Sequence, residues 1–126
     1  MMIKALRYPA INSSPEVILD KKTNEFIFTG KSFPEDAKLL YRPIITWIEK
    51  YVDDPNDNTI IEFNMEYFNS ASAKIILDIL EIFATVEEKG KSVIIHWHYA
   101  DVDEDMKYAG ELYSEESNIP IKLISY

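Results

Sequence analysis

The chain has 126 residues, the size of one ordinary domain and too short for two good cores. Its hydrophobic fraction of 47% supports a packed core, and its formal net charge of −9 argues against nucleic acid or an anionic membrane as principal partner. The absence of cysteine excludes disulfides, thiol catalysis and Cys-ligated zinc, and the three glycines leave no phosphate-cradling glycine loop.

Residues up to Ser14 read as a polar lead that turns at Pro15. Glu16 to Leu19 and Glu25 to Thr29 read as two strands joined by the turn Asp20-Lys21-Lys22-Thr23-Asn24. Ser32-Phe33-Pro34-Glu35 reads as a helix start, with Ser32 as cap and Glu35 reaching back. Ala37, Leu40, Tyr41, Ile44 and Ile48 follow at helical spacing. Pro43 falls inside that pattern and predicts a kink rather than two helices. Asp53 to Asn58 is the next loop, and Thr59 to Met65 reads as a buried strand. A second helix begins at Asn69 to Ser72 and runs to about Glu88, closed by Gly90. Ser92 to Tyr99 is a strand, Val102 to Glu116 a third helix, and Pro120 to Ser125 a last strand.

The expected order is ββαβαβαβ over a single domain, residues 1–126. It is an α/β fold with a mixed, mostly parallel sheet of about five strands and three helices. No leader peptide and no apolar run of the roughly 18 residues needed to span a bilayer is visible. The expectation is a soluble cytoplasmic protein without membrane insertion.

The second helix is unusually apolar. Ala73, Ile76, Leu77, Leu80, Phe83 and Ala84 make one stripe, and Ile75, Ile79, Ile82 and Val86 make another nearly opposite. Lys74, Asp78, Glu81 and Thr85 fill the polar band between them. One sheet cannot cover both stripes. Either the first helix packs on the second stripe, or part of that stripe is exposed and binds a partner. Ile75, Asp78, Ile79 and Ile82 are therefore the partner-binding candidates.

The helix opens with Asn69-Ser70-Ala71-Ser72-Ala73-Lys74. Small polar residues at such a place ordinarily cap free N–H groups. The same place also suits a phosphoserine, because the helix N-terminus carries about half a positive charge and a phosphate adds about −1.5 to −2. The fold would tolerate that dianion, while a partner docking on this end would meet a changed surface.

The segment Tyr67 to Asp78 resembles the central motif of the SiaC family of bacterial regulatory phosphoproteins. Ser32-Phe33-Pro34-Glu35, Trp47-Ile48-Glu49, His96-Trp97-His98-Tyr99, Gly110-Glu111 and Ile119-Pro120 extend the resemblance, in order, over nearly the whole chain. It implies a STAS-like fold, similar to anti-sigma-factor antagonists, and a non-enzymatic protein. It also implies phosphorylation by a dedicated serine/threonine kinase and removal of the phosphate by a PP2C-type phosphatase. The unphosphorylated form would bind and activate an output partner such as a diguanylate cyclase, promoting aggregation or biofilm. The family's acceptor threonine follows the motif asparagine and falls on Ser70. Ala71 stands where the family often has serine, Ser72 is a second candidate, and Asn69, Ala71 and Lys74 surround the site.

Other constellations carry less. His96 and His98 point to one side of a strand, with Asp101, Asp103, Glu104 and Asp105 following. A metal or small-molecule site on the His96/His98 face is the alternative function. The plainer reading is a partly exposed strand end before an acidic helix start, with no metal and no cofactor. Asp53, Asp54 and Asp57 do not fit a calcium loop, since Asn58 and Asn64 stand where it needs glycine and glutamate. No Gly-x-Ser-x-Gly elbow surrounds any serine, so nucleophilic catalysis has no support.

Overall fold

The computed structural model describes residues 3–126. One sheet holds six strands in sequential order: β1 (Leu6–Tyr8), β2 (Glu16–Asp20), β3 (Glu25–Ser32), β4 (Asn58–Phe68), β5 (Ser92–Tyr99) and β6 (Ile121–Ser125). The β1/β2 and β2/β3 pairs are antiparallel, and β3 through β6 run parallel. The helices α1 (Ala37–Tyr51), α2 (Ser70–Ala84) and α3 (Glu104–Glu116) make the three crossovers. Each crossover steps one strand in the same direction, so right-handed connections place all three helices on one face.

Side-chain burial records that one-sided cover. In β4, Thr59, Ile61, Phe63 and Met65 are buried, while Ile60, Glu62, Asn64 and Glu66 between them are exposed or half-buried. In β5, Val93, Ile95 and Trp97 are buried, and Ile94, His96 and His98 are half-buried on the opposite side. Thr59 to Met65 is therefore covered on one face only, and Ile60 is 40% exposed. The expected buried strand is thus buried on its helix-covered face and has a solvent-facing side.

The structure differs from the sequence reading at three further points. The polar lead contains β1, which pairs Leu6 with Leu19 and Tyr8 with Val17, so the sheet has six strands rather than five. Ser32 does not cap α1. It ends β3 and is fully buried, and the cap is Asp36, whose carboxylate accepts the Leu39 N–H at 3.1 Å. The second helix ends as an α-helix at Ala84 and continues as a 3-10 turn over Thr85–Lys89. Gly90 closes that turn at φ +75°, a left-handed conformation that costs glycine little.

Pro43 sits within the single helix α1, on its exposed side, where the carbonyl freed by its missing N–H can meet water. The hairpin turn after β2 is built by Asp20, whose carboxylate accepts the N–H groups of Lys22 and Thr23 at 2.9 and 3.2 Å. Asn24 takes the positive φ of 60° that the turn requires.

The core lies between the sheet and the helices. Phe28 stacks on Phe63 at 4.5 Å, and Phe26 packs against Trp47, Tyr51 and Phe83. Both apolar stripes of α2 are used. Ile76, Leu80 and Phe83 are buried in the first, and Ile75 and Ile79, with Val86 of the following 3-10 turn, in the second. Each such side chain contributes about 1.5–3 kcal/mol by leaving water, which holds α2 rigidly across the sheet.

Candidate functional site

The parallel strands β3 and β4 end side by side, with Ser32 opposite Phe68 in register. The chain then turns into α2 through Asn69. Its backbone N–H donates to the Ser32 carbonyl at 3.0 Å, so the turn is tied to the neighbouring strand. Asn69 has an extended backbone (φ −82°, ψ 176°), and its side-chain Oδ1 accepts the Ser72 N–H at 2.9 Å. The cap of α2 is therefore an asparagine amide rather than a serine hydroxyl.

That division leaves two serines with different surroundings. Ser72 is fully buried, and its Oγ shares a hydrogen bond of 2.9 Å with Ser32 Oγ. Ser32 Oγ shares another, of 2.7 Å, with the Tyr41 hydroxyl from α1. Burial pushes the Tyr41 hydroxyl above its ordinary value, only partly offset by Ser32, so the trio is neutral. It contains no imidazole or carboxylate and serves to join β3, α1 and α2. Ser72, the second candidate acceptor, is closed to an enzyme in this fold.

Ser70 is the first residue of α2 and is exposed. Its hydroxyl makes no hydrogen bond among the described residues, and it stands where the first backbone N–H groups of the helix lack intrahelical partners. Ala71 and Lys74 are exposed as well, and Lys74 lies four residues on, on the same helical face. Tyr113 fixes this first turn from below by donating its hydroxyl to the Ala73 carbonyl at 2.7 Å. Burial, and then the nearby Glu116, push that hydroxyl far above the ordinary tyrosine range, which keeps it a donor.

Two exposed aromatics flank the tip. Phe33, just after β3, and Tyr67, near the end of β4, meet edge to face at 6.1 Å and are 44% and 50% exposed. Beside them, Glu66, Asp103 and Asp105 line a groove of about 250 Å³ toward α3. A second groove, of about 350 Å³, runs between α1 and α2 and is lined by Tyr41, Arg42, Ile45, Glu49, Ile75 and Asp78, among others.

The four partner-binding candidates separate accordingly. Asp78 is exposed and Ile75 shows only an edge, and both line the interhelical groove. Ile82 is half-buried. Ile79 is fully buried within the core and is corrected from docking residue to core residue. The aromatic pair Phe33 and Tyr67 is not visible in the sequence, where Phe33 belongs to an apparent helix start, and only the observed strand ends bring the two rings together.

Among the described residues, no helix is long and apolar enough to cross a membrane. Residues 8–126 match the family described as SiaC family regulatory phosphoprotein. An uncharacterised protein of Pseudomonas aeruginosa is 25% identical over 118 residues, covering 94% of each chain. The crystal structure of apo-SiaC from Pseudomonas aeruginosa aligns with a TM-score of 0.85 at 24% identity, over 97% of this chain and 99% of that one. A chain from the crystal structure of the diguanylate cyclase SiaD in complex with its activator SiaC, from Pseudomonas aeruginosa, aligns with a TM-score of 0.88 at 25% identity, over 96% of this chain and 99% of that one. With the expected α/β architecture in place and the family match spanning nearly its whole length, the chain belongs to the SiaC family of regulatory phosphoproteins.

Proposed function

We propose that this chain is a cytoplasmic, non-enzymatic binding protein switched by phosphorylation at Ser70. In the unphosphorylated form it binds and activates an output protein, in the first instance a diguanylate cyclase, and thereby favours aggregation or biofilm. A serine/threonine kinase adds the phosphate and a PP2C-type phosphatase removes it.

The observation that carries this reading is the contrast at the tip of α2. Ser70 is exposed and its hydroxyl makes no hydrogen bond among the described residues, while Ser72, two residues on, is buried and engaged. A phosphate on Ser70 meets the positive end of the helix and the ammonium of Lys74, so the fold accommodates it. A partner seated on Phe33 and Tyr67 would instead meet a bulky dianion at the edge of an apolar contact. That contact already lies beside Glu66, Asp103 and Asp105, which deepens the repulsion toward any acidic partner group.

Support for the output partner comes from the relative that activates a diguanylate cyclase. The test is intact-mass spectrometry of the protein from its native cells, with the phosphate localised by fragmentation. Ser70→Ala is expected to bind its partner permanently, and Ser70→Asp to lose it. If the two variants recover every partner equally, the switch is disproved.

A further inference from the structure

All three helices pack on one face of the sheet, and the opposite face carries a cluster that the phosphoserine site does not use. Glu62 in β4 lies directly across from His96 in β5, and His98 follows two residues along the same strand. One carboxylate oxygen of Glu62 is 2.9 Å from His96 Nδ1, and the other is 2.6 Å from His98 Nε2. The three residues present ligand atoms that all lie within 4.8 Å of one another. Their side chains are 24–35% exposed, so the cluster is held by the sheet yet open to ions from solvent.

We propose that Glu62, His96 and His98 form a zinc site. Two imidazoles and one carboxylate are a donor set that Zn²⁺ favours, and three protein ligands leave one of its four positions open to water or to another donor. Bonds of about 2.0–2.1 Å at tetrahedral angles set neighbouring ligand atoms about 3.3 Å apart. The pairs at 2.9 and 2.6 Å, made to the two different oxygens of Glu62, must open by less than about 1 Å, and donors up to 4.8 Å apart must draw together, to reach that spacing. Zinc would take the lone pairs of His96 Nδ1 and His98 Nε2, the nitrogens now turned toward Glu62, and the other nitrogen of each ring makes no hydrogen bond among the described residues and is free to carry the ring proton. Both imidazoles come from one rigid strand, and the carboxylate from its hydrogen-bonded neighbour, so little ordering opposes binding. Lys122, which pairs with His96 in β6, is an opposing charge, and its exposed, flexible side chain can turn away.

The sequence offers the His96/His98 face as an alternative metal or small-molecule site, with Asp101, Asp103, Glu104 and Asp105 as the nearby carboxylates. The third ligand is Glu62, 34 residues before His96 and adjacent only through the parallel register.

Zinc chloride titrated into the full chain by calorimetry is expected to show one saturable site. Glu62→Gln, His96→Ala and His98→Ala are each expected to weaken binding at least tenfold, with circular dichroism unchanged. Zinc is also expected to raise the thermal midpoint of the native chain and not of His98→Ala. Cobalt(II) in the same site should give the intense visible absorption of tetrahedral coordination, lost in the three variants. Absence of one-to-one binding, equal binding by all the variants, or a six-coordinate cobalt spectrum would each overturn the proposal.

Discussion

The hydroxyl oxygens of Ser32 and Ser72 lie 2.9 Å apart, both without solvent exposure, at the point where β3, α1 and α2 converge. Ser32 also bonds Tyr41, so it is the middle member of the trio. Replacing Ser32 by alanine orphans two buried hydroxyls, each costing about 1–3 kcal/mol. Ser72→Ala leaves the Ser32–Tyr41 bond in place and should cost about 1 kcal/mol. Urea denaturation of the two variants is expected to place Ser32→Ala as clearly the less stable.

The cap of α2 makes a companion prediction. Asn69→Ala removes the acceptor for the Ser72 N–H and should cost about 1 kcal/mol. Ser70→Ala removes a hydroxyl with no hydrogen bond among the described residues and should stay within about 0.5 kcal/mol of the parent. Equal losses from the two changes, measured by chemical denaturation, would show that the hydroxyl caps the helix after all.

Gly110 is held by packing rather than by backbone angle. A Cβ there would lie 2.5 Å from Trp97 Cδ1 and 2.6 Å from Leu123 Cδ2. The indole cannot retreat freely, because its Nε1 donates to the Met106 carbonyl at 2.9 Å. Gly110→Ala is expected to cost about 1–3 kcal/mol by forcing α3 off the sheet. A thermal midpoint unchanged from the parent would contradict this.

Asp20 ties the β2/β3 turn to β1. Partial burial works to raise its pKa, but the Thr23 and Lys22 N–H groups and Arg7 at 3.0 Å outweigh it, so the pKa lies below the ordinary 3.8. A folded value below the unfolded one stabilises fully above about pH 4, and the stabilisation disappears as pH falls through the depressed value. The stability gap between the parent and Asp20→Asn is therefore expected to be constant near neutrality and to narrow in acid. Urea midpoints taken from pH 7 down to pH 3 check the slope.

Most of the fold was legible because its signals are local. The hydrophobic runs of β4 and β5 and the double stripe of α2 are read along one segment at a time, and Ser92 to Tyr99 was bounded as observed. β1 was not legible, since three residues before Pro9 carry too little alternation to show a strand. Ser32 is ambiguous in the sequence because a serine before Phe-Pro-Glu looks like a cap, and only the tertiary contact with Ser72 and Tyr41 reveals it as a core hydroxyl. Phe33 with Tyr67, and Glu62 with the two histidines, pair through strand register, which one sequence does not state.

The most direct test compares the chain carrying phosphoserine at position 70 with the unmodified chain, each used to capture partners from native cells under quantitative mass spectrometry. A diguanylate cyclase or other output protein should be enriched at least about tenfold on the unmodified form, equivalent to about 1.4 kcal/mol of lost affinity. Equal recovery on both forms would contradict the idea that charge at this helix tip governs association.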